Sequence, residues 1–298
     1  MSSCIAGLSY VVIGTSDLDE WRRFGSEVLG VMVTPGHRDS QIALRMDVRM
    51  ARMIVDDTLP PGVQTVAWEV RNEHDWNDLL SRLEANGTKF ELLDADEAHE
   101  RYATAVARCE DPSGAQVEFV LAPYIEPIRN FISPTGARFV TDDQGMGHTT
   151  GLVANYDETK AFYIDLLGFT VRETVKAAIT GTFASCNSRQ HTIALLDGGD
   201  LNILHHIMLE VDSIDEVGRC WDRVVEGGAT LVTGMGRHYN DHMISFYLTG
   251  PDGVTFEYGY GGLRIDPEAT VEVRQSGRGG GSFWGHHPVV DDPAFAHH

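Results

Sequence analysis

Three residues in the second half of the sequence are of the types that hold a divalent metal ion: His148, His206 and Glu257. Two neutral imidazoles and one carboxylate, with other coordination positions left open, form the facial set of non-haem Fe(II) enzymes that use oxygen. The open positions would accept a substrate and dioxygen. A single histidine on a strand more often has a structural role, so the prediction depends on these residues meeting at one place.

An internal repeat indicates which elements position these residues. The segment SYVVIGTSDLDEWRRFGSEVLGV, beginning at Ser9, recurs as GHTTGLVANYDETKAFYIDLLGF, beginning at Gly147. TVAWEV, beginning at Thr65, recurs as HIMLEV, beginning at His206, and DPSGAQVEF recurs as GPDGVTFEY. Each half is therefore predicted to contain two units, each with a strand, a helix and further strands.

The repeat aligns each candidate ligand with a residue of the first half. The aligned pairs are His148 with Tyr10, His206 with Thr65, and Glu257 with Glu118. Tyr and Thr cannot replace imidazole as metal ligands. The sequence therefore predicts a metal site in the second half only.

The adjacent residues His205 and His206 require a choice, because neighbouring side chains on a strand point to opposite faces. The register favours His206, since an apolar residue lies five positions after it, as one does after His148. Glu210 lies on the same face but about 13 Å further along the strand, too far to bind the same ion.

Composition limits the classes of partner. The chain has 298 residues, with 23 Lys and Arg against 44 Asp and Glu, a net charge of −21. This charge argues against nucleic acid and anionic membranes as partners. No apolar run approaches the roughly 20 residues of a membrane-spanning helix. The four cysteines are scattered and form no C-x-x-C motif, so we expect a cytoplasmic enzyme or small-molecule binder without disulfides.

The repeat also predicts the domain boundaries. Residues 1–135 form one half and residues 136–298 the other, joined by a segment with three prolines at 122–136. A Gly- and Pro-rich tail begins at about residue 270, and we expect its far end to be loosely ordered.

The motifs resemble those of the type I extradiol ring-cleaving dioxygenases of the vicinal oxygen chelate superfamily. The resemblance covers nearly the whole chain and is carried by HHIMLEVDSIDEVGRCWDRV, by GRHYNDHMISFYLTGPDGVTFEYGYGG and by WGH at Trp284–His286. It is strongest to enzymes that act on dihydroxybiphenyl and dihydroxynaphthalene. It implies an α+β vicinal oxygen chelate fold: two tandem domains, each of two βαβββ modules that form a barrel-like sheet around a cavity.

The resemblance also implies residue roles. His148, His206 and Glu257 match the metal ligands, for Fe(II) or for Mn(II), which the same ligands bind. The catalytic positions are His191, His238, Tyr247 and Asp241, and the substrate-binding positions are Asn240, Phe183 and Thr150. Among these, His191 matches an acid–base histidine, and His238 and Tyr247 match residues that hydrogen-bond oxygen and the catecholate.

The implied substrates are a catechol-type diol and dioxygen. The resemblance also implies a homo-oligomer, for which an octamer is one arrangement. One departure from the family is the short segment LLDGGDLNILHH before His206, which we expect to reshape the pocket entrance.

Two other functions stay open on this fold: a glyoxalase-like metal isomerase, and a non-catalytic binder of aromatic ligands. The isomerases need additional carboxylates, and a binder needs no iron.

Overall fold

The computed structural model describes residues 3–126, 131–176, 179–266, 273–275 and 281–289. Within these ranges, no helix has the length and apolar character needed to cross a bilayer.

The first half contains eight strands and three helices. Its strands are β1 (Ile5–Gly14), β2 (Met32–Pro35), β3 (Gln41–Arg45), β4 (Met53–Asp56), β5 (Gly62–Val70), β6 (Phe90–Leu92), β7 (Ala103–Glu110) and β8 (Gln116–Pro123). Its helices are α1 (Leu18–Arg23), α2 (Glu73–Ala85) and α3 (Ala95–Glu100).

Among the described residues, the second half repeats the order strand, helix and further strands, but it has two short strands where the first half has β6 and α3, and it adds strands from the tail. Its strands are β9 (His148–Val153), β10 (Thr170–Lys176), β11 (Thr180–Ser185), β12 (Ile193–Asp197), β13 (Ile203–Val211), β14 (Thr230–Leu231), β15 (Gly236–His238), β16 (Ile244–Thr249), β17 (Thr255–Tyr260), β18 (Val273–Gln275) and β19 (Ser282–Trp284). Its helices are α4 (Tyr156–Ala161) and α5 (Ile214–Arg223), and short 3-10 turns lie at Asp142–Gln144 and Pro251–Gly253.

The repeated helix ends where the Leu-Gly motif predicts. After α1 and α4 the chain widens into a π-helical turn, at Phe24–Leu29 and Phe162–Leu166. The glycines that follow, Gly30 and Gly168, have φ of 75° and 76°. This left-handed conformation strains any residue with a Cβ, which explains why glycine ends the helix in both repeats.

The strands form two mixed sheets, one in each half. The order is β2-β3-β4-β1-β5-β8-β7-β6 in the first and β18-β10-β11-β12-β9-β13-β17-β16-β15-β19 in the second, with β14 also paired to β16. In each sheet the two strand-helix-strands units meet at an antiparallel pair, β1 with β5 and β9 with β13. This order of elements confirms the predicted α+β class and its βαβββ units.

Each sheet curls so that its two ends approach each other. In the second half, the side chain of Asn240, which follows β15 near the opposite end of the sheet, lies close enough to Glu173 of β10 to lower its pKa. In the first half, the ring of His37, after β2, lies 4.1 Å from that of His99 in α3. Side chains on the inner faces are thereby brought around a common centre.

The tail contributes to the second sheet. β18 pairs with β10, and β19 pairs with β15. The predicted loose order at the far end of the tail concerns residues 290–298, which lie outside the described residues.

The two halves share one hydrophobic core because each packs a helix against the other. Trp21 of α1 contacts Phe256 of β17 with ring centroids 6.3 Å apart, and its indole N–H donates to Asp252 at 2.8 Å. In the reciprocal contact, Tyr163 lies 6.2 Å from Trp68 of β5, and its hydroxyl donates to Asp111 at 3.0 Å. The strand that carries Glu257 is therefore supported by the first half.

We predict that Trp21→Ala lowers the free energy of unfolding by about 3–5 kcal/mol, the usual cost of removing a large buried aromatic side chain. Trp21 is fully buried, whereas Leu92 on edge strand β6 is 58% exposed. Leu92→Ala is therefore the control and should change stability by less than about 0.5 kcal/mol. Urea denaturation followed by circular dichroism measures both; equal losses would contradict the shared core.

Candidate active site

His148, His206 and Glu257 meet on the inner face of the second sheet. They lie on the adjacent strands β9, β13 and β17, where Met208 of β13 is in register with both His148 and Glu257. The two Nε2 atoms are 3.2 Å apart, and each lies 3.3 Å from Glu257 Oε2. All three side chains are buried. The register of three neighbouring strands thus brings together residues that are far apart in sequence.

These donor atoms fit a single metal ion. Two atoms bound to one ion at about 2.1 Å, with 90–110° between them, lie about 3.0–3.4 Å apart. Burial lowers the pKa of His148 and of His206 to about 4, so both imidazoles are neutral at pH 7. Burial would raise the pKa of Glu257, but the charge of His238 and hydrogen bonds from the imidazoles hold it well below its usual range. The site therefore offers two neutral nitrogens and one carboxylate.

His205 lies closer to the site than strand alternation predicts. The pairing of β13 with β9 shifts register between Leu204 and His206, which is a β-bulge. The Nδ1 atoms of His205 and His206 are consequently 2.7 Å apart. His206, and not His205, points its Nε2 at His148 and Glu257. His205 instead contacts the far side of the His206 ring, as an outer hydrogen-bond partner of a metal ligand does.

The second oxygen of Glu257 is held by His238 and by Ser245, a residue that the sequence analysis did not single out. Ser245 Oγ donates to Glu257 Oε1 at 2.6 Å, and His238 Nε2 lies 3.1 Å from the same oxygen. Ser245 precedes Tyr247 by two residues on β16, so both face the site. That spacing in the motif HMISFY is the signal that could have identified Ser245.

The C-terminal tail completes this arrangement through a fully buried His286. Its Nε2 lies 3.1 Å from both the hydroxyl and the carbonyl oxygen of Ser245, so it carries the proton and donates. Ser282 Oγ then donates to Nδ1 at 2.6 Å. The close fit leaves no room for a Cβ at Gly236, which would lie 2.4 Å from the backbone nitrogen of His286. A hydrogen-bonded chain thus runs from the tail to Glu257.

His191 lies beside the three candidate ligands without joining them. Its ring stacks against that of His148 with centroids 4.0 Å apart. Its direct hydrogen-bond partner is the neighbouring Gln190, whose Oε1 accepts from Nδ1 at 2.5 Å. Asp241, expected to orient outer groups, lies 4.0 Å from the same nitrogen. Gln190 therefore sets the His191 tautomer, and the sequence analysis did not single it out.

His238 and Tyr247 form a pair of donors next to Glu257. His238 Nε2 lies 2.9 Å from the Tyr247 hydroxyl oxygen. Burial alone would lower the pKa of His238, but the negative charge of Glu257 outweighs burial and raises this pKa to about 9. Burial, together with Glu257, raises the pKa of Tyr247 well above its usual range. Both groups therefore keep their protons at neutral pH.

The three expected substrate-binding residues have different contacts. Phe183 on β11 meets His191 edge to face, with centroids 5.1 Å apart. Thr150 lies two residues after His148 and is in register with His206. Asn240 Oδ1 accepts from the Asp241 backbone N–H at 2.8 Å. Glu210, by contrast, pairs with Arg189 and Arg264, away from the candidate ligands.

The loop before His206, expected to reshape the pocket entrance, contacts the first half. Asn202 donates to the Ser113 carbonyl at 3.0 Å.

The equivalent position in the first half is occupied by a different set of contacts. Glu118 accepts a hydrogen bond from Tyr10 at 2.5 Å and pairs with Arg108 at 2.8 Å and Arg101 at 3.3 Å. Thr65 donates to Gln116 at 2.6 Å. Two guanidinium groups neutralise this carboxylate and leave no nitrogen ligand beside it. That only the second half binds metal stays a prediction from the repeat.

Two family models match the chain. Residues 145–258 match the glyoxalase/bleomycin resistance protein/dioxygenase superfamily, and residues 8–57 match the dihydroxybiphenyl dioxygenase BphC D1 family.

Several proteins named as dioxygenases are similar to this chain over nearly their whole length. An iron-dependent extradiol dioxygenase of Rhodococcus jostii is 31% identical over 95% of this chain and 97% of its own. A biphenyl-2,3-diol 1,2-dioxygenase of Paraburkholderia xenovorans is 32% identical over 97% of this chain and 98% of its own. The crystal structure of BphC, a halotolerant catechol dioxygenase, has a TM-score of 0.89 at 30% identity and covers 96% of this chain and 95% of its own. These similarities confirm the vicinal oxygen chelate fold.

We predict that His206→Ala or Glu257→Ala abolishes metal binding, whereas Thr65→Ala leaves it unchanged. Losing a direct ligand should weaken binding by more than the about 10- to 100-fold that loss of an outer hydrogen bond costs. Thr65 is the matched control because it holds the position of His206 in the first half. Elemental analysis after anaerobic reconstitution measures metal per chain, and two ions per wild-type chain would contradict the prediction.

Proposed function

Because the chain belongs to the extradiol dioxygenase family of the glyoxalase/bleomycin resistance protein/dioxygenase superfamily, we propose that it opens the ring of a catechol-type aromatic diol with Fe(II) and dioxygen. The observation that carries the proposal is the buried set His148, His206 and Glu257, whose donor atoms lie within 3.3 Å of one another. Three groups able to move or donate protons surround it: His191, His238 and Tyr247.

Fe(II) is the proposed metal, and the two imidazoles and Glu257 are its proposed ligands. When bound, it would acidify the diol as a Lewis acid, hold diol and dioxygen next to each other, and allow electrons to pass from the diol to dioxygen. The name of the Rhodococcus relative specifies iron, which favours Fe(II) over the Mn(II) that the same ligands accommodate. Ser245, itself held by His286, would orient Glu257, since it donates to the oxygen that faces away from His148 and His206.

His191 is proposed as the residue that takes and returns a proton. Gln190 accepts from Nδ1, so the proton of the neutral ring is on that nitrogen and Nε2 has a free lone pair. His191 is buried and stacked against His148, which places this base beside a bound diol without coordinating the metal. His238 and Tyr247, which keep their protons, are proposed to donate hydrogen bonds to oxygen atoms of the substrates.

The substrate is proposed to be a bicyclic or polycyclic diol. The relatives include enzymes named for biphenyl-2,3-diol and for 1,2-dihydroxynaphthalene. Phe183 supplies an aromatic wall beside His191, suited to the edge or face of a second ring. The four cysteines are all free, which supports the proposed location in a reducing cytoplasm. The family resemblance supports a homo-oligomer.

Aerobic mixing of the iron-loaded enzyme with catechol tests the function. We expect oxygen consumption and a yellow 2-hydroxymuconate-type product, both lost in Glu257→Ala. An isomerase would act on its substrate without consuming oxygen, and a non-catalytic binder would retain the diol unchanged. Either result would overturn the proposal.

We predict that His191→Gln retains iron and binds the diol but lowers kcat by about 10²- to 10⁴-fold, the usual contribution of a positioned acid or base. Gln is close to His in size and still hydrogen-bonds, but its amide cannot take up a proton as the imidazole can, even though burial and His148 hold the pKa of His191 well below its usual range. Turnover per bound iron is the deciding quantity. An unchanged value together with reduced iron content would assign His191 a purely structural role.

A further inference from the structure

One buried carboxyl group inside the second sheet has no role in the proposed reaction. Glu173 on β10 is only 2% exposed. Asn240 lies near its carboxyl group and lowers its pKa, but the Glu173 Oε2 atom is buried without any hydrogen-bond partner. None of the ion pairs found among the described residues includes Glu173. A buried carboxyl that lacks a cation and a full set of hydrogen bonds costs free energy of folding.

The strand register places Glu173 on the wall of the proposed substrate pocket. Glu173 is directly opposite Phe183 in the β10–β11 pair, so the two side chains share the inner face. Phe183 contacts His191, which stacks on the ligand His148. The order outward from the candidate metal site is therefore His148, His191, Phe183 and Glu173. The next residue on the strand, Thr174, is opposite Thr182 and faces away from the pocket.

The surroundings of Glu173 favour a partner that donates hydrogen bonds. Burial raises the pKa of Glu173 to about 7, and the charge of Asp241 adds to the increase; above that pH the carboxyl is ionised and can only accept hydrogen bonds. An incoming donor would supply the contact that Oε2 lacks and would recover part of the cost of burial. A pocket with such an unpaired group discriminates strongly against ligands that cannot satisfy it.

We propose that Glu173 determines substrate specificity by accepting a hydrogen bond at Oε2 from a hydroxyl or amino group on the part of the diol remote from the metal. This inference rests on the proposed ring-cleaving function and refines its substrate class. The preferred substrates are then catechols whose second ring carries a hydrogen-bond donor, while Phe183 contacts the face or edge of that ring.

The test compares matched substrates on one holoenzyme. The substrates are biphenyl-2,3-diols bearing a hydroxyl, an amino or a methyl group at the same position of the second ring, with unsubstituted catechol as the reference. At about pH 8.5, where Glu173 is ionised because its pKa is about 7, we expect wild-type kcat/KM to favour the hydroxyl or amino derivative over the methyl derivative by about 10- to 100-fold at the best position, the usual value for a hydrogen bond to a charged group. The preference should appear mainly in KM, because the contact is remote from the reacting bonds.

Glu173→Met should remove this preference and favour the methyl derivative, since Met fills the space without accepting strongly. Glu173→Gln keeps a carbonyl oxygen and should retain part of the preference. It therefore tests the proposal even if the Met variant fails to fold. Thr174→Ala is the matched control on the same strand and should leave the preference unchanged. Removing an unsatisfied buried carboxyl should also leave Tm equal to or above that of the wild type.

The outcomes separate the two proposals. Wild-type enzyme that cleaves catechol but shows no preference among the derivatives, or a preference that survives in Glu173→Met, overturns the role of Glu173 alone. A fall in Tm with an unchanged preference would assign Glu173 to the structure. No cleavage of catechol overturns the proposed function, and this inference with it.

Discussion

The second half of the molecule depends on one buried carboxylate. A charge removed from water must be matched by donors or cations around both of its oxygens. At Glu257 the two oxygens have separate surroundings: Oε2 faces the imidazoles of His148 and His206, and Oε1 accepts from Ser245 and contacts His238. The proposed metal site and the donors beside it follow from this division. The C-terminal strand is part of it, because His286 holds Ser245 in place.

The first half resolves the same constraint in a different way. Glu118 occupies the equivalent strand position, but a tyrosine hydroxyl and two guanidinium groups surround it. Fixed cations neutralise this carboxylate, and none of the partners found for it among the described residues is an imidazole. Its α1 helix packs Trp21 against Phe256, next to Glu257 in sequence. The first half thereby stabilises the strand that carries Glu257.

The polarity of the proposed pocket changes with distance from the candidate metal site. Neutral imidazoles lie at the centre, the aromatic ring of Phe183 comes next, and the incompletely paired carboxyl of Glu173 lies beyond it. A flat diol with an apolar ring and a remote polar group complements this sequence of surfaces. Curling of the sheet makes it possible, because it brings Glu173 of β10 to Asn240 near the opposite end of the sheet.

The sequence by itself determined the repeat, the βαβββ units and the three residues aligned with Tyr10, Thr65 and Glu118, because strand alternation, helix-ending glycines and turns are local properties of the chain. It could not reveal the β-bulge that brings His205 beside His206, since bulges depend on the partner strand. Nor could it place His286, Gln190 or Glu173, whose roles arise from the curl of the sheet and the return of the tail. Contacts between residues far apart in sequence depend on how the sheets close, and only the tertiary structure decided that.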